Sequence, residues 1–259
     1  MRALAARWSR AVPSLRESAL RVAYLRAELV ERPLPDVAAA LDELSGLAEQ
    51  ADPIAREVLA AVVTALADPT LAELADSLRT LADQEALLAL ARLLRRRSRT
   101  DPPHGAPATD ERALATSSSG RVLTLGERRA LARRPSRAAF DKLLRDPHPM
   151  VVENLLQNPM LTEEDVVRMV ARRPAFPDVI GAVARHPLWS QRARVRMAIV
   201  QSPGAPPEIT VPLVRLLIRP ELEQIVAAPD VPAVVRAAAS ELLERRPPVP
   251  VRGDGGEPQ

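Results

Sequence analysis

Proline placement limits what this chain can fold into. A proline has no backbone N–H and its ring clashes with the preceding turn, so most internal prolines end a helix. The sequence holds 26 of them, and beyond residue 120 they return inside recurring phrases. Ala132-Arg133-Arg134-Pro135 reappears as Ala171-Arg172-Arg173-Pro174, 39 residues on. Arg145-Asp146-Pro147 returns as Arg185-His186-Pro187 after 40 residues and as Ala227-Ala228-Pro229 after a further 42. Gln157-Asn158-Pro159 returns as Gln201-Ser202-Pro203 with a shift of 44. Between these marks Val151, Leu155 and Leu156 correspond to Val195, Ile199 and Val200. The spacing predicts about three units of 40–44 residues, each cut into two or three short helices. A helix of about 8–12 residues is marginal alone, so such units must bury their apolar faces against one another.

The phrases Leu144-Arg145-Asp146-Pro147-His148-Pro149-Met150-Val151-Val152 and Ala228-Pro229-Asp230-Val231-Pro232-Ala233-Val234-Val235-Arg236 resemble the D-P-x-x-x-V-R core of HEAT-type repeats, which are armadillo-like. Gln157-Asn158-Pro159-Met160-Leu161-Thr162 and Gln201-Ser202-Pro203-Gly204-Ala205-Pro206-Pro207 resemble the N-P-x-x-P stretch of bacterial leucine-rich-repeat-variant (LRV-type) proteins. The likeness covers about residues 120–246. Two departures stand out: the third copy has Leu217-Ile218-Arg219-Pro220 in place of the Arg-Arg-Pro phrase, and only Arg236 keeps the usual arginine after its valines. The resemblance implies an α-helical solenoid. It also implies protein–protein scaffolding, as in most such families, or nucleic-acid handling, as in some.

The first hundred residues read as helices throughout. Val37, Leu41, Leu44 and Ala48 share one stripe, and Asp52-Pro53 supplies an N-cap followed by proline at the first helical position. Ile54, Val58, Val62 and Leu66 align behind it. Leu71, Leu74, Leu78 and Leu81 form another face, and Leu87, Leu90 and Leu94 continue the pattern with or without a break near Asp83. Ser14-Leu15-Arg16-Glu17 and Thr70-x-x-Glu73 read as capping boxes. Met1 to Trp8 interrupts its apolar residues with arginine and makes a poor secretory signal. It reads as a frayed terminus or as a membrane-surface helix. From Arg95 the composition turns to Arg, Pro, Gly and Ser without periodicity, the mark of a linker. The expected organisation is all-α: a helical bundle over 1–94, a disordered linker over 95–120, the repeat array over 121–246 and a disordered tail over 247–259.

Composition excludes several chemistries. With no cysteine there is no disulfide, thiolate zinc site or iron–sulfur cluster. The single lysine, Lys142, lies outside any G-x-x-x-x-G-K-[ST] loop. Three scattered histidines make no metal centre, and no cofactor is expected. Residues 1–94 carry 10 basic and 14 acidic side chains and residues 121–246 carry 20 and 14, so the halves differ in sign. The excess in the second half suits an anionic partner, or it reflects an arginine-rich genome composition.

The candidate contact residues are cationic. Arg133, Arg134, Arg172 and Arg173, with Arg245 and Arg246, would form a ladder if successive units stack. Such a ladder suits phosphates or an acidic partner, while the same pairs at helix ends also offset the helix dipole. Arg192, Arg194 and Arg196, with Arg185 and Trp189, form the densest basic cluster in the array, and Trp189 reads equally as a staple under a helix start. The run Arg95–Arg99 reads as a solvated helix end or a contact to nucleic acid or anionic lipid. Glu163, Glu164 and Asp165 after Thr162 read as an acidic first turn that loosely fits a capping box Thr162-x-x-Asp165, and His148 and His186 as hydrogen-bonding groups at unit junctions. No nucleophile, base and orienting group occur together. The expected function is a non-enzymatic, cytoplasmic interaction scaffold for another protein, the alternative being a nucleic-acid-binding repeat protein. Neither a small-molecule substrate nor a transmembrane segment is expected.

Overall fold

The computed structural model describes residues 2–95, 114–116 and 120–246, and among these the chain is all-α. Its extended pairing is an isolated antiparallel bridge between Thr116 and Val122. The first half holds α1 (Arg2–Ser14), α2 (Ser18–Glu31), α3 (Leu34–Glu49), α4 (Pro53–Leu66), α5 (Ala72–Gln84) and α6 (Leu88–Leu93). The second holds α7 (Leu125–Arg133), α8 (Phe140–Leu143), α9 (Pro149–Leu156), α10 (Glu163–Ala171), α11 (Pro177–Arg185), α12 (Ala193–Gln201), α13 (Pro207–Val214), α14 (Arg219–Ala227) and α15 (Ala233–Arg245). Short 3₁₀ turns, Pro69–Leu71 and Trp189–Gln191, precede α5 and α12.

Proline starts helices here as often as it stops them. It occupies the first or second position of α3, α4, α9, α11, α13 and α14, where the missing N–H would have had no partner. Asp52 caps α4 as expected, its carboxylate accepting the Ala55 N–H at 2.7 Å. Pro13 and Pro212 instead lie inside α1 and α13, each removing one donor from a helix that continues past it.

The two capping boxes expected in the first half do not form. Ser14 ends α1 rather than starting α2, and its hydroxyl donates back to the Ala11 carbonyl at 2.6 Å. Asp68, not Thr70, caps the turn before α5 by accepting the Thr70 N–H at 2.9 Å. Reciprocal boxes do form at Thr124/Glu127 and Thr162/Asp165, the former not anticipated.

In the second half α7 packs on α9, α10 on α12, α13 on α15 and α14 on α15, while α9 meets α11 and α12 meets α14. The residue just before the proline that follows α9 or α15 does the same work in both places. Asn158 donates to the carbonyls of Ala132 and Arg134 at 2.7 and 2.8 Å, satisfying the end of α7. Arg246 donates to Leu217 O at 2.5 Å and Arg215 O at 3.5 Å beyond α13. Ser202, the equivalent after α12, is too short to reach across, and its hydroxyl is buried without a partner.

One hydrophobic core runs from Ala5 to Leu242 through both halves, so the boundary read at 95–120 does not separate two cores. Of that segment only Arg95, 114–116 and Gly120 are described. Leu114 and Ala115 are buried, and Lys142 donates to Thr116. The remaining linker residues and the tail 247–259 lie outside the described residues. α4 joins the halves: α1, α2 and α3 cover it on one side, and α11, α13 and the turn at Trp189 on the other. Thr64 Oγ1 lies 2.9 Å from Ser190 Oγ, and Gln191 donates to Ala60 O at 3.1 Å. Among the described residues no single helix is long and apolar enough to cross a membrane.

The N-terminal helix is neither frayed nor splayed on a surface. Trp8 is 0% exposed, and its indole N–H donates to Glu28 at 3.0 Å. Arg7 and Arg32 close the same carboxylate from outside. Changing Trp8 to Ala should destabilise the chain by about 3–5 kcal/mol. Urea unfolding followed by circular dichroism measures this, and a loss below 1 kcal/mol would mean that α1 is not part of the core.

Candidate functional site

The arginines singled out in the sequence are dispersed, and most are engaged within the chain. Arg133 donates to Asn154 at 2.8 Å. Arg172 donates to the Arg145 carbonyl and lies over the Phe176 ring, 5.2 Å from its centre. Arg173 donates to Ala171 O at 2.8 Å, its own helix end, which is the dipole-capping role. Arg185 pairs with Glu153 at 3.5 Å, and Arg194 with Glu164 at 2.7 Å. Arg134 and Arg192 extend into solvent.

The triplet Arg192, Arg194 and Arg196 does not form one patch, because positions two apart on a helix point in different directions. Arg196 turns inward and donates to Gln191 O at 2.7 Å. Burial lowers its pKa and Glu221 opposes that shift. Trp189 is a core residue rather than a stacking platform, with its N–H on the Leu156 carbonyl at 2.9 Å. His186 caps the turn leading into it: Nδ1 accepts the N–H groups of Leu188 and Trp189 at 3.3 and 3.4 Å. His148 does the same for Met150 at 3.2 Å.

The acidic turn of α10 is structural as well. Asp165 is fully buried; it accepts from Arg137 at 2.9 and 3.0 Å, from Arg168 at 2.5 Å and from Thr162. Burial raises its pKa, but the Arg137 and Thr162 hydrogen bonds outweigh this and hold it well below the usual carboxylate range. Buried Asp146 pairs with Arg128 at 2.7 Å, and burial pushes its carboxyl up. Among the described residues no group of three or more His, Asp or Glu is placed to hold a metal ion.

The most concentrated polar site was not anticipated, and it lies at the seam of the two halves. Glu49, at the end of α3, is 6% exposed. Arg92 of α6 binds both its oxygens, at 2.8 and 2.6 Å, and Arg215 beyond α13 reaches it at 3.1 Å. Arg245 stands 3.8 Å away. Glu241, one turn before Arg245 on α15, takes Arg245 at 3.0 Å, Arg95 at 3.2 Å and Arg215 at 4.0 Å. The Glu49 hydrogen bond raises the Arg92 pKa, whereas burial lowers Arg215 to about 10. Asp42 fixes α6 by accepting from Ala89 and Leu90 at 2.9 and 3.0 Å. This network borders an open cleft of about 610 Å³ between α6 and α15. Nothing in the sequence spacing announces it, because Glu49 and Arg215 lie 166 residues apart. In comparisons with known proteins the chain matches no family model, no curated protein and no solved structure.

Two measurements check this site. Replacing Glu49 by Gln leaves Arg92 and Arg215 buried without their carboxylate, and should cost about 3–5 kcal/mol of stability. Arg194→Gln, breaking an exposed pair, should cost under about 1 kcal/mol. Equal losses in urea denaturation would contradict the assignment. The second measurement concerns His186, whose pKa burial lowers from 6.5 to about 4. The unfolded chain therefore takes up a proton that the folded chain refuses. The stabilisation is complete above pH about 6.5 and falls away as the pH drops towards 4, by up to about 3 kcal/mol. His186→Asn should flatten that part of the stability–pH curve relative to the parent chain, and parallel curves would refute the burial effect.

Proposed function

We propose that this chain is a non-enzymatic, cytoplasmic interaction protein, an α-solenoid of the HEAT or LRV kind whose outer surface receives another protein. One observation carries the reading: the array spends most of its candidate cations on internal acceptors while leaving large apolar side chains outside. Met150, Met160, Leu188, Ile218 and Val226 are all exposed, three of them directly after a proline. Apolar anchors set in a polar surround are what protein partners bury. Phosphate backbones call for a continuous row of free cations, and among the described candidate arginines only Arg134 and Arg192 stand in solvent with neither a side-chain hydrogen bond nor an ion pair. Those two support the nucleic-acid reading, which is the alternative.

Cross-linking in native extract followed by affinity purification tests the choice. A partner protein should be retained at about 0.3 M salt, because apolar contacts are weakly screened. Met160→Ser with Leu188→Ser should weaken that retention about ten-fold or more. Random-sequence DNA or RNA should show no measurable binding at about 0.15 M salt. Nucleic-acid binding that falls steeply with salt and disappears in Arg134→Gln with Arg192→Gln would overturn the protein-partner reading.

A further inference from the structure

The cleft between α6 and α15 has more donors than acceptors. Its cationic walls come from both halves of the chain: Arg92 and Arg95 from the first, Arg245 from the second. Arg215 stands behind them, 1% exposed. Within ion-pair distance these four guanidiniums share two carboxylates, Glu49 and Glu241. Nearby carboxylates are engaged elsewhere or stand outside. Asp42 accepts from the N–H groups at the start of α6, Asp76 pairs with Arg79, and Asp83 is exposed at the rim. Two nitrogens of Arg215, Nε and Nη2, are buried and make no hydrogen bond. Nη2 stands 4.0 Å from Glu241, the carboxylate that Arg95 and Arg245 also use, so an anion accepting from Arg95 and Arg245 would leave more of Glu241 to Arg215.

The size and lining of the cleft indicate what that acceptor is. About 610 Å³ is room for a small molecule rather than a peptide segment. A phosphate offers several oxygens and up to two charges to guanidinium forks arranged around it, where a carboxylate offers two oxygens and one charge. At the mouth Arg95 and Arg245 both have side chains 41% exposed, so an incoming anion meets them first. Leu88, 64% exposed, forms an apolar rim beside them.

We propose that this cleft binds a phosphate group, free or carried on a small molecule, held at its mouth by Arg95 and Arg245 and fastening α6 to α15. The site is independent of the protein-binding surface proposed above, which uses other faces of the array. Because the ligand would bridge the halves, binding should raise the melting temperature of the full chain.

Thermal melts and titration calorimetry with inorganic phosphate and with phenyl phosphate, against potassium chloride at equal ionic strength, test the proposal. Both phosphates should stabilise the chain beyond chloride, and phenyl phosphate binding the more tightly would assign the site to an ester rather than the free ion. Arg245→Gln should weaken binding about ten-fold, and Glu241→Gln, which removes a competing acceptor, should tighten it. If Arg245→Gln fails to fold, Arg95→Gln carries the same expectation from a side chain half in solvent. Stabilisation no greater than that by chloride would overturn the proposal. So would unchanged affinity in a folded arginine variant.

Discussion

From Val58 to Ala65 every residue of α4 is buried, which leaves that helix with no face for water to cover. A helix of this kind is stable only between two layers, and neither half of the chain alone supplies both. The first-half helices α1, α2 and α3 form one layer, and α11, α13 and the turn at Trp189 form the other. The few polar groups along the buried stretch are matched across the seam: Thr64 with Ser190, and the Ala60 carbonyl with Gln191. At the start of the helix Arg56 donates to the Leu216 carbonyl at 2.6 and 3.2 Å, so the array is anchored at both ends of α4. Burial of each Val or Leu there is worth about 1.5–3 kcal/mol. The seam therefore belongs to the stability of the whole chain.

The proline-limited helices of the second half create a second requirement. Short helices have many ends, and every end exposes carbonyls that need donors. The chain supplies them from side chains one helix pair away, Asn158 for α7 and Arg246 for the end of α13. Much of the arginine content is used in this way or in pairing, which is why a basic composition does not become a basic surface. The cleft at α6 and α15 differs: there the guanidiniums of Arg92, Arg95 and Arg245 line an opening.

Several of these features were legible beforehand, for reasons that can be traced to particular residues. Asp52-Pro53 identified the start of α4, and Thr162 to Asp165 the start of α10, because capping depends on residues three apart. Ser14 to Glu17 has the same spacing and failed, since Pro13 does not end α1 before Ser14 is reached. The uncharged run after Val58 was visible as well. Reading it as a single stripe through Ile54 concealed that the helix is enclosed, and Ile54 itself is exposed. Trp8 could have been suspected as a core residue from its scarcity, as one of only two tryptophans in the chain.

Local chemistry therefore determined the helical class, many of the helix starts and the proline-bounded helices of the second half, because capping and missing N–H groups act within a few residues. Only the tertiary structure decided which apolar faces meet, that the two halves share one core around α4, and that Glu49, Arg92, Arg215, Glu241 and Arg245 gather at one seam. Those partners lie as far as 166 residues apart, and no short-range pattern constrains which charges a folded core will bring together.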